Sequence, residues 1–117
     1  MSLERLSEIC AALPEAEREL SGKHAVFRVR RRTFAYYLDD HHGDGIVGVV
    51  FKAPGGANAG LIAADPDRFY MPSYIGHRGW VGLRLDTGPV DWTEVGDFVT
   101  DSYLAVAPKR LATQLEP

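Results

Sequence analysis

Hydrophobic residues recur along this chain in two periods, and the change from one to the other marks out its elements. Leu3, Leu6, Ile9, Cys10 and Leu13 stand at helical spacing behind Ser2, a residue that can cap, which predicts a helix over residues 2–13. Pro14 ends it or starts a short second turn through Glu15–Leu20, and Ser21-Gly22 is a break. The period then falls to two. Phe27 and Val29 alternate with Arg28 and Arg30, and Phe34 and Tyr36 with Ala35 and Tyr37, predicting a hairpin of strands 24–30 and 33–38. A turn centred on Arg30-Arg31 pairs Phe27 with Phe34 and faces both to the core. Two arginines suit a tight primed turn poorly, because it wants positive φ, so a looser turn and another register stay open.

Residues 46–53 carry β-branched side chains on both faces and predict an interior strand. Leu61–Ala64 reads as a short helix stopped by Asp65-Pro66, and 66–79 as irregular chain. In residues 80–86, Val81, Leu83 and Leu85 face one way and Arg84 and Asp86 the other. Asp91-Trp92-Thr93-Glu94 is a capping box, with Glu94 reaching back to the cap. It opens the strongest helix, 91–106, where Trp92, Val95, Phe98, Val99, Tyr103 and Val106 share a face, Trp92 as a large buried aromatic locking helix to sheet. Pro108 opens a last short helix, 108–115, with Leu111 and Leu115 inward. The order, roughly α-β-β-β-α-β-α-α, is not strict βαβ alternation. It predicts an α+β fold: an antiparallel sheet with helices packed on one face.

The 117 residues suit one domain, 1–117, with one modest core. Hydrophobic residues at 45% and charged residues at 25% exclude a disordered or fibrous chain. Apolar runs are too short for a membrane span, and the first residues lack a secretory apolar region. Cys10 is the single cysteine, so an intrachain disulfide is excluded; it is expected to be a small core residue in a reduced, cytoplasmic protein.

Net charge is −3, which does not by itself suggest nucleic acid or membrane, but its distribution is uneven. Residues 23–38 hold Lys23, Arg28, Arg30, Arg31 and Arg32 and no acid, while 86–101 hold Asp86, Asp91, Glu94, Asp97 and Asp101 and no base. The hairpin is therefore a basic prong on an acidic protein. Its arginines either meet phosphates, are simply solvated, or are neutralised by the acidic helix.

No motif specifies catalysis. Gly43-Asp44-Gly45-Ile46-Val47-Gly48 has the letters GxGxxG but leads into a strand rather than a helix, so it reads as a turn. Gly55–Gly60 follows a strand and could hold an anion with Lys52, but the GK[ST] ending of a P-loop is missing. His41-His42 lie among Asp39, Asp40 and Asp44, and adjacent histidines rarely bind one ion. No catalytic residue, cofactor or metal is expected, and the chain is expected not to be an enzyme.

Several segments resemble one family. They are Phe51-Lys52-Ala53-Pro54, Asp65–Tyr70, Pro72–Gly82 with Leu85-Asp86, Asp91-Trp92, and Ser102-Tyr103 ahead of Ala107–Leu111. Together they look like the MmcQ/YjbR family, over nearly the whole chain. The resemblance implies a small bacterial α+β domain grouped with secretion-chaperone-like folds. It also implies DNA binding, through likeness to a double-wing arrangement, and implies no enzymatic activity. On that footing the chain is expected to be a DNA-binding accessory protein of weak sequence specificity. Lys23, Arg28, Arg30, Arg31, Arg32, Arg78 and Lys109 would meet phosphates. The alternative is a protein- or small-ligand-binding module, with a protein partner or a second copy of itself and no nucleic-acid role. In that case Tyr74, His77 and Trp80 are the candidates for a pocket, since aromatics beside basic loop residues suit stacking.

Overall fold

A computed structural model of the chain describes residues 2–115. Among them, six strands form one antiparallel sheet: β1 (Ala16–Ser21), β2 (His24–Val29), β3 (Arg32–Asp39), β4 (Val47–Lys52), β5 (Phe69–Tyr70) and β6 (Trp80–Arg84). Their spatial order is β1-β2-β3-β4-β6-β5. Four helices accompany them: α1 (Ser2–Ala11), α2 (Asn58–Ala64), α3 (Trp92–Val106) and α4 (Lys109–Ala112). The fold is α+β, with α1 and α3 packed against the sheet over the main core.

Two strands escape the hydrophobic pattern. Residues 15–20, expected as a turn of helix, instead form most of β1, whose side chains after Ala16 are all exposed. An edge strand that turns charge to solvent has no apolar alternation to read, and its Glu17, Arg18 and Glu19 protect the edge from pairing with other chains. The second, β5, is two residues long inside the stretch expected to be irregular.

The hairpin turn does fall on Arg30-Arg31, with φ of 49° and 67°, a two-residue turn of the I′ kind. The pairing differs from expectation. Arg28 faces Thr33, the register then shifts, and Phe27 faces Ala35 rather than Phe34. The bulge leaves Phe34 and Ala35 both fully buried, and the Phe34 ring still meets Phe27 at 6.5 Å and Tyr103 at 5.4 Å.

Asp91 caps α3, its Oδ1 accepting from the N–H groups of Thr93 and Glu94, both at 3.1 Å. Glu94 does not reach back. Its carboxylate takes hydrogen bonds from Arg68 at 2.7 and 3.4 Å, while Arg68 also binds Asp65 at 2.6 Å, so a tertiary partner displaces the local one. Val95, Val99, Ser102, Tyr103 and Val106 form the buried stripe. Trp92 and Phe98, both expected inside, are only partly buried at its margin. Ser102 Oγ donates to the Phe34 carbonyl at 2.6 Å and accepts the Lys52 N–H at 2.9 Å, tying α3 to β3 and β4 at the bulge. Tyr103 donates to the Pro14 carbonyl at 2.7 Å.

The other sheet face carries Tyr36, Gly48, Val50, Trp80, Gly82 and Arg84, by the pairing of β3, β4 and β6. The end of β5 and the segment after it cover part of it. The Tyr70 ring lies across Gly82, and its hydroxyl rests on Gly48. Asn58, at the start of α2, holds that segment down: its amide donates to the carbonyls of Gly76 at 2.9 Å and Trp80 at 3.1 Å. Residues 55–60, weighed as an anion loop, thus serve to deliver Asn58 to its partners.

Candidate functional site

Strand register places opposite charges at opposite ends of the sheet. At one end lie the Arg30-Arg31 turn, the end of β4 at Lys52, and the Gly76–Arg78 turn before β6, because Ala35 pairs with Phe51 and Phe51 with Val81. The α3–α4 junction joins this end, since Arg110 approaches Glu15 at 4.0 Å and Glu15 binds Arg30 at 2.6 Å. At the other end stand Asp39, Asp40, Asp44 and Asp86, on the end of β3, the following loop and the end of β6.

The seven basic residues expected to meet phosphates divide accordingly. Lys23 lies at the acidic end and approaches Asp39 at 3.9 Å. Arg28 is bound by Glu19, and Arg30 by both carboxylate oxygens of Glu15. The acidic helix does not take these arginines; β1 does, because it pairs directly with β2 and sets Glu19 and Glu15 alongside. Arg30 also holds the Glu15 carboxyl below its ordinary range. Arg31, Arg32, Arg78 and Lys109 are exposed and form no ion pair among the described residues. The free basic set is therefore smaller than the hairpin's composition indicates, and three of its four members sit at one end of the sheet by register. Lys109 joins them through its neighbour Arg110.

A concave feature in aromatic surroundings lies elsewhere. A cavity of about 440 Å³ opens on the face opposite α1 and α3, lined by Tyr36, Leu38, Ile46, Tyr70 and the segment Met71–Ile75, with His41 and Asp44. Tyr74 lines it. His77 and Trp80 do not: His77 lies in the turn at the basic end, and Trp80 packs on the outer side of Tyr36, ring centres 5.5 Å apart. Tyr70, which stands in the same aromatic stretch of sequence as Tyr74, and Tyr36, to which no motif points, supply its walls. The signal for them is the pair Gly48 and Gly82 in the interior of two strands, which leaves sheet bare for a ring to cover.

Burial pushes the Tyr70 phenol up to about 12, with Asp44 and Asp86 adding to the effect, so it stays protonated. Burial first, then His42 and His24, hold the His41 imidazole below its ordinary value. The three histidines are in ring contact, His24–His41 at 5.4 Å and His41–His42 at 3.9 Å. Among the described residues, no three His, Cys, Asp or Glu side chains are gathered as a metal site. Arg84 holds Asp86 below the usual carboxylate range, and Asp86 accepts the Val47 N–H at 3.2 Å. Cys10 is buried, its thiol pushed up to about 12. No helix among the described residues is long and apolar enough to cross a membrane.

Comparison with known proteins agrees with this architecture. The model of the YjbR family matches residues 11–105. Among solved structures, the crystal structure of Deinococcus radiodurans protein DR2400, with a DUF419 domain, superposes with a TM-score of 0.73 at 23% identity. That match covers 97% of this chain and 86% of the other. No curated protein matches the chain.

Proposed function

This chain belongs to the YjbR family, and from that premise we propose that it is a binding protein which engages phosphate backbones, DNA among them, through the basic end of its sheet. The observation that carries the reading is the turn itself. Two arginines occupy both central positions of a tight turn at positive φ, where asparagine and glycine are favoured, and the second, Arg31, is exposed with no ion pair among the described residues. Arg32 beside it, Arg78 at the same end of the sheet, and Lys109 extend the positive surface.

Four such contacts make affinity fall with salt at a slope near −3.6 in log–log form, from about −0.9 per phosphate. The net charge of −3 and the acidic opposite end keep the interaction weak and orient the molecule on its target. Specificity is low, because arginine side chains at a turn tip meet phosphates rather than base edges. The role is binding rather than catalysis.

The experiment is a titration of duplex DNA at several salt concentrations with the wild type and with Arg31→Ala plus Arg32→Ala. Loss of affinity by a similar factor on unrelated sequences, with the slope shallower by about 1.8, supports the reading. Absence of wild-type binding at low salt removes it.

A further inference from the structure

We infer that the tyrosine-walled cavity on the sheet face opposite α1 and α3 is a binding site for a small organic cation, an ammonium group carried on a compact apolar body. The site shares no residue with the basic end and stands independently of the reading given for it.

At about 440 Å³ the cavity is of small-ligand size. Its walls are the rings of Tyr36, Tyr70 and Tyr74, with Leu38, Ile46 and Met71 between them. Aromatic faces are electron-rich and attract a cation set over them, while the aliphatic surface takes the body of the ligand. One charged group lines the cavity, and it is the carboxylate of Asp44; among the described residues no lysine or arginine lines it. Asp44 Oδ1 accepts the Ile46 N–H at 2.9 Å, which fixes the carboxylate, while Oδ2 meets no protein donor among the described residues. Arg84, on the same sheet face, feels the charge of Asp44 but gives its two side-chain hydrogen bonds to Asp86 and does not line the cavity. Burial first, then His42 and His24, push the His41 imidazole below its ordinary value against the opposing pull of Asp44, which favours its uncharged form beside a bound cation.

Two features show that the site is built rather than incidental. Tyr70 is seated on Gly48 and Gly82, where any side chain would displace it, so its ring is fixed as a wall. Tyr74 has a φ of 69°, a strained value for a bulky residue, and in that conformation stays 79% exposed at the cavity mouth, its ring 5.9 Å from that of His42. The chain thus holds an aromatic side chain in water, at a conformational cost, beside a cavity with one carboxylate. An anionic ligand meets no lysine or arginine in the lining and faces the Asp44 carboxylate, and a neutral one leaves Asp44 unused.

The test uses the full chain and three probes of one shape at neutral pH: phenethylammonium, 2-phenylethanol and phenylacetate, followed by calorimetry and by amide chemical shifts. The expected result is that phenethylammonium binds about tenfold tighter than the alcohol and that phenylacetate is weakest. The amides that shift should fall in residues 36–46 and 70–75. Asp44→Asn keeps the acceptor for the Ile46 N–H and should bring the ammonium close to the alcohol while leaving the alcohol unchanged. Tyr74→Ala, at an exposed position, should weaken the ammonium several-fold with the fold intact, and Tyr74→Phe should not. Equal affinity for ammonium and alcohol, a preference for phenylacetate, a selectivity unmoved by Asp44→Asn, or no binding of any probe at millimolar concentration would each overturn the assignment.

Discussion

The ring of Tyr70 fills the space that a side chain on Gly82 would need: its carbons lie 2.2–2.6 Å from where a β-carbon would stand. Glycine within a strand is normally a weakness, and alanine there would ordinarily gain about 0.5–1 kcal/mol. Here the sign reverses. Gly82→Ala must push the ring off the sheet and is expected to cost about 1–3 kcal/mol, the range for overpacking a well-packed site. The displaced phenol regains water, so its pKa should fall from about 12 toward 10. Chemical denaturation and an ultraviolet tyrosine titration check the two effects together, and an alanine variant of unchanged stability and titration would mean the ring is not seated there.

Ser102 supports the bulge in β3 by serving two backbone groups at once, the Phe34 carbonyl and the Lys52 N–H. Ser102→Ala removes both partners at a buried position. Each unsatisfied group costs about 1–3 kcal/mol, so a loss of about 2–6 kcal/mol is expected in urea unfolding. Exposed Ser73, changed in the same way, should move stability by less than about 0.5 kcal/mol.

These two contacts show where the sequence is readable and where it is not. The stripe Val95, Val99, Tyr103 and Val106 and the alternation Val81, Leu83, Leu85 identify their elements, because each buries a repeating face. Strand β1 is invisible in the same pattern, since an edge strand covered by solvent has nothing apolar to repeat. Ser102 reads as a polar residue on an inward face until the bulge it serves is known, and the bulge depends on pairing between β2 and β3. Charge was legible as a count but not as a surface. Arg28 and Arg30 lose their freedom to Glu19 and Glu15, residues that only the β1–β2 pairing brings beside them. Of the cavity, Tyr74 was legible from its motif, whereas His41, Asp44 and Tyr36 arrive from other strands and loops.

Trp92 and Phe34 separate burial from size. Trp92 is only partly buried at the edge of the α3 contact, whereas Phe34 is at 0% exposure. Trp92→Ala is therefore expected to cost about 1–2 kcal/mol, and Phe34→Ala the full 3–5 kcal/mol of a buried aromatic. A larger loss at Trp92 than at Phe34 would contradict the packing described above.

Cys10 makes stability depend on alkaline pH. Burial holds its thiol at about 12 in the fold, against 9.0 when free. Below pH 9 both states carry the proton and the fold keeps its full advantage. Above it the unfolded chain ionises while the folded one does not, so stability falls by up to about 1.4 kcal/mol per pH unit toward pH 12. Tyr70 adds a similar loss starting one unit higher. Cys10→Ala lacks the first effect. The margin by which wild type exceeds that variant should shrink by about 1 kcal/mol between pH 8 and pH 10, measured by urea unfolding at each pH. A constant margin would mean the thiol is accessible to water in the folded chain.

Arg31→Gly sets stability against function at the hairpin tip. Arg31 sits at φ 67°, where an L-residue meets its own carbonyl and glycine does not. Replacing it relieves about 1–2 kcal/mol of backbone strain and adds back about 0.4–1 kcal/mol of chain entropy in the unfolded state. The variant is thus expected to be more stable than wild type by about 0.5–1 kcal/mol. The ion pair of Arg30 with Glu15 is untouched, so no other contact confuses the comparison. The same change removes one free cation from the basic end. If that end grips phosphates, duplex DNA should bind the variant more weakly on every sequence, with the salt slope shallower by about 0.9. A variant that is both more stable and a poorer binder identifies the arginine as kept for binding at the expense of the fold. A variant more stable and equally able to bind would leave the turn strained without purpose and move the phosphate contact to Arg78 and Lys109.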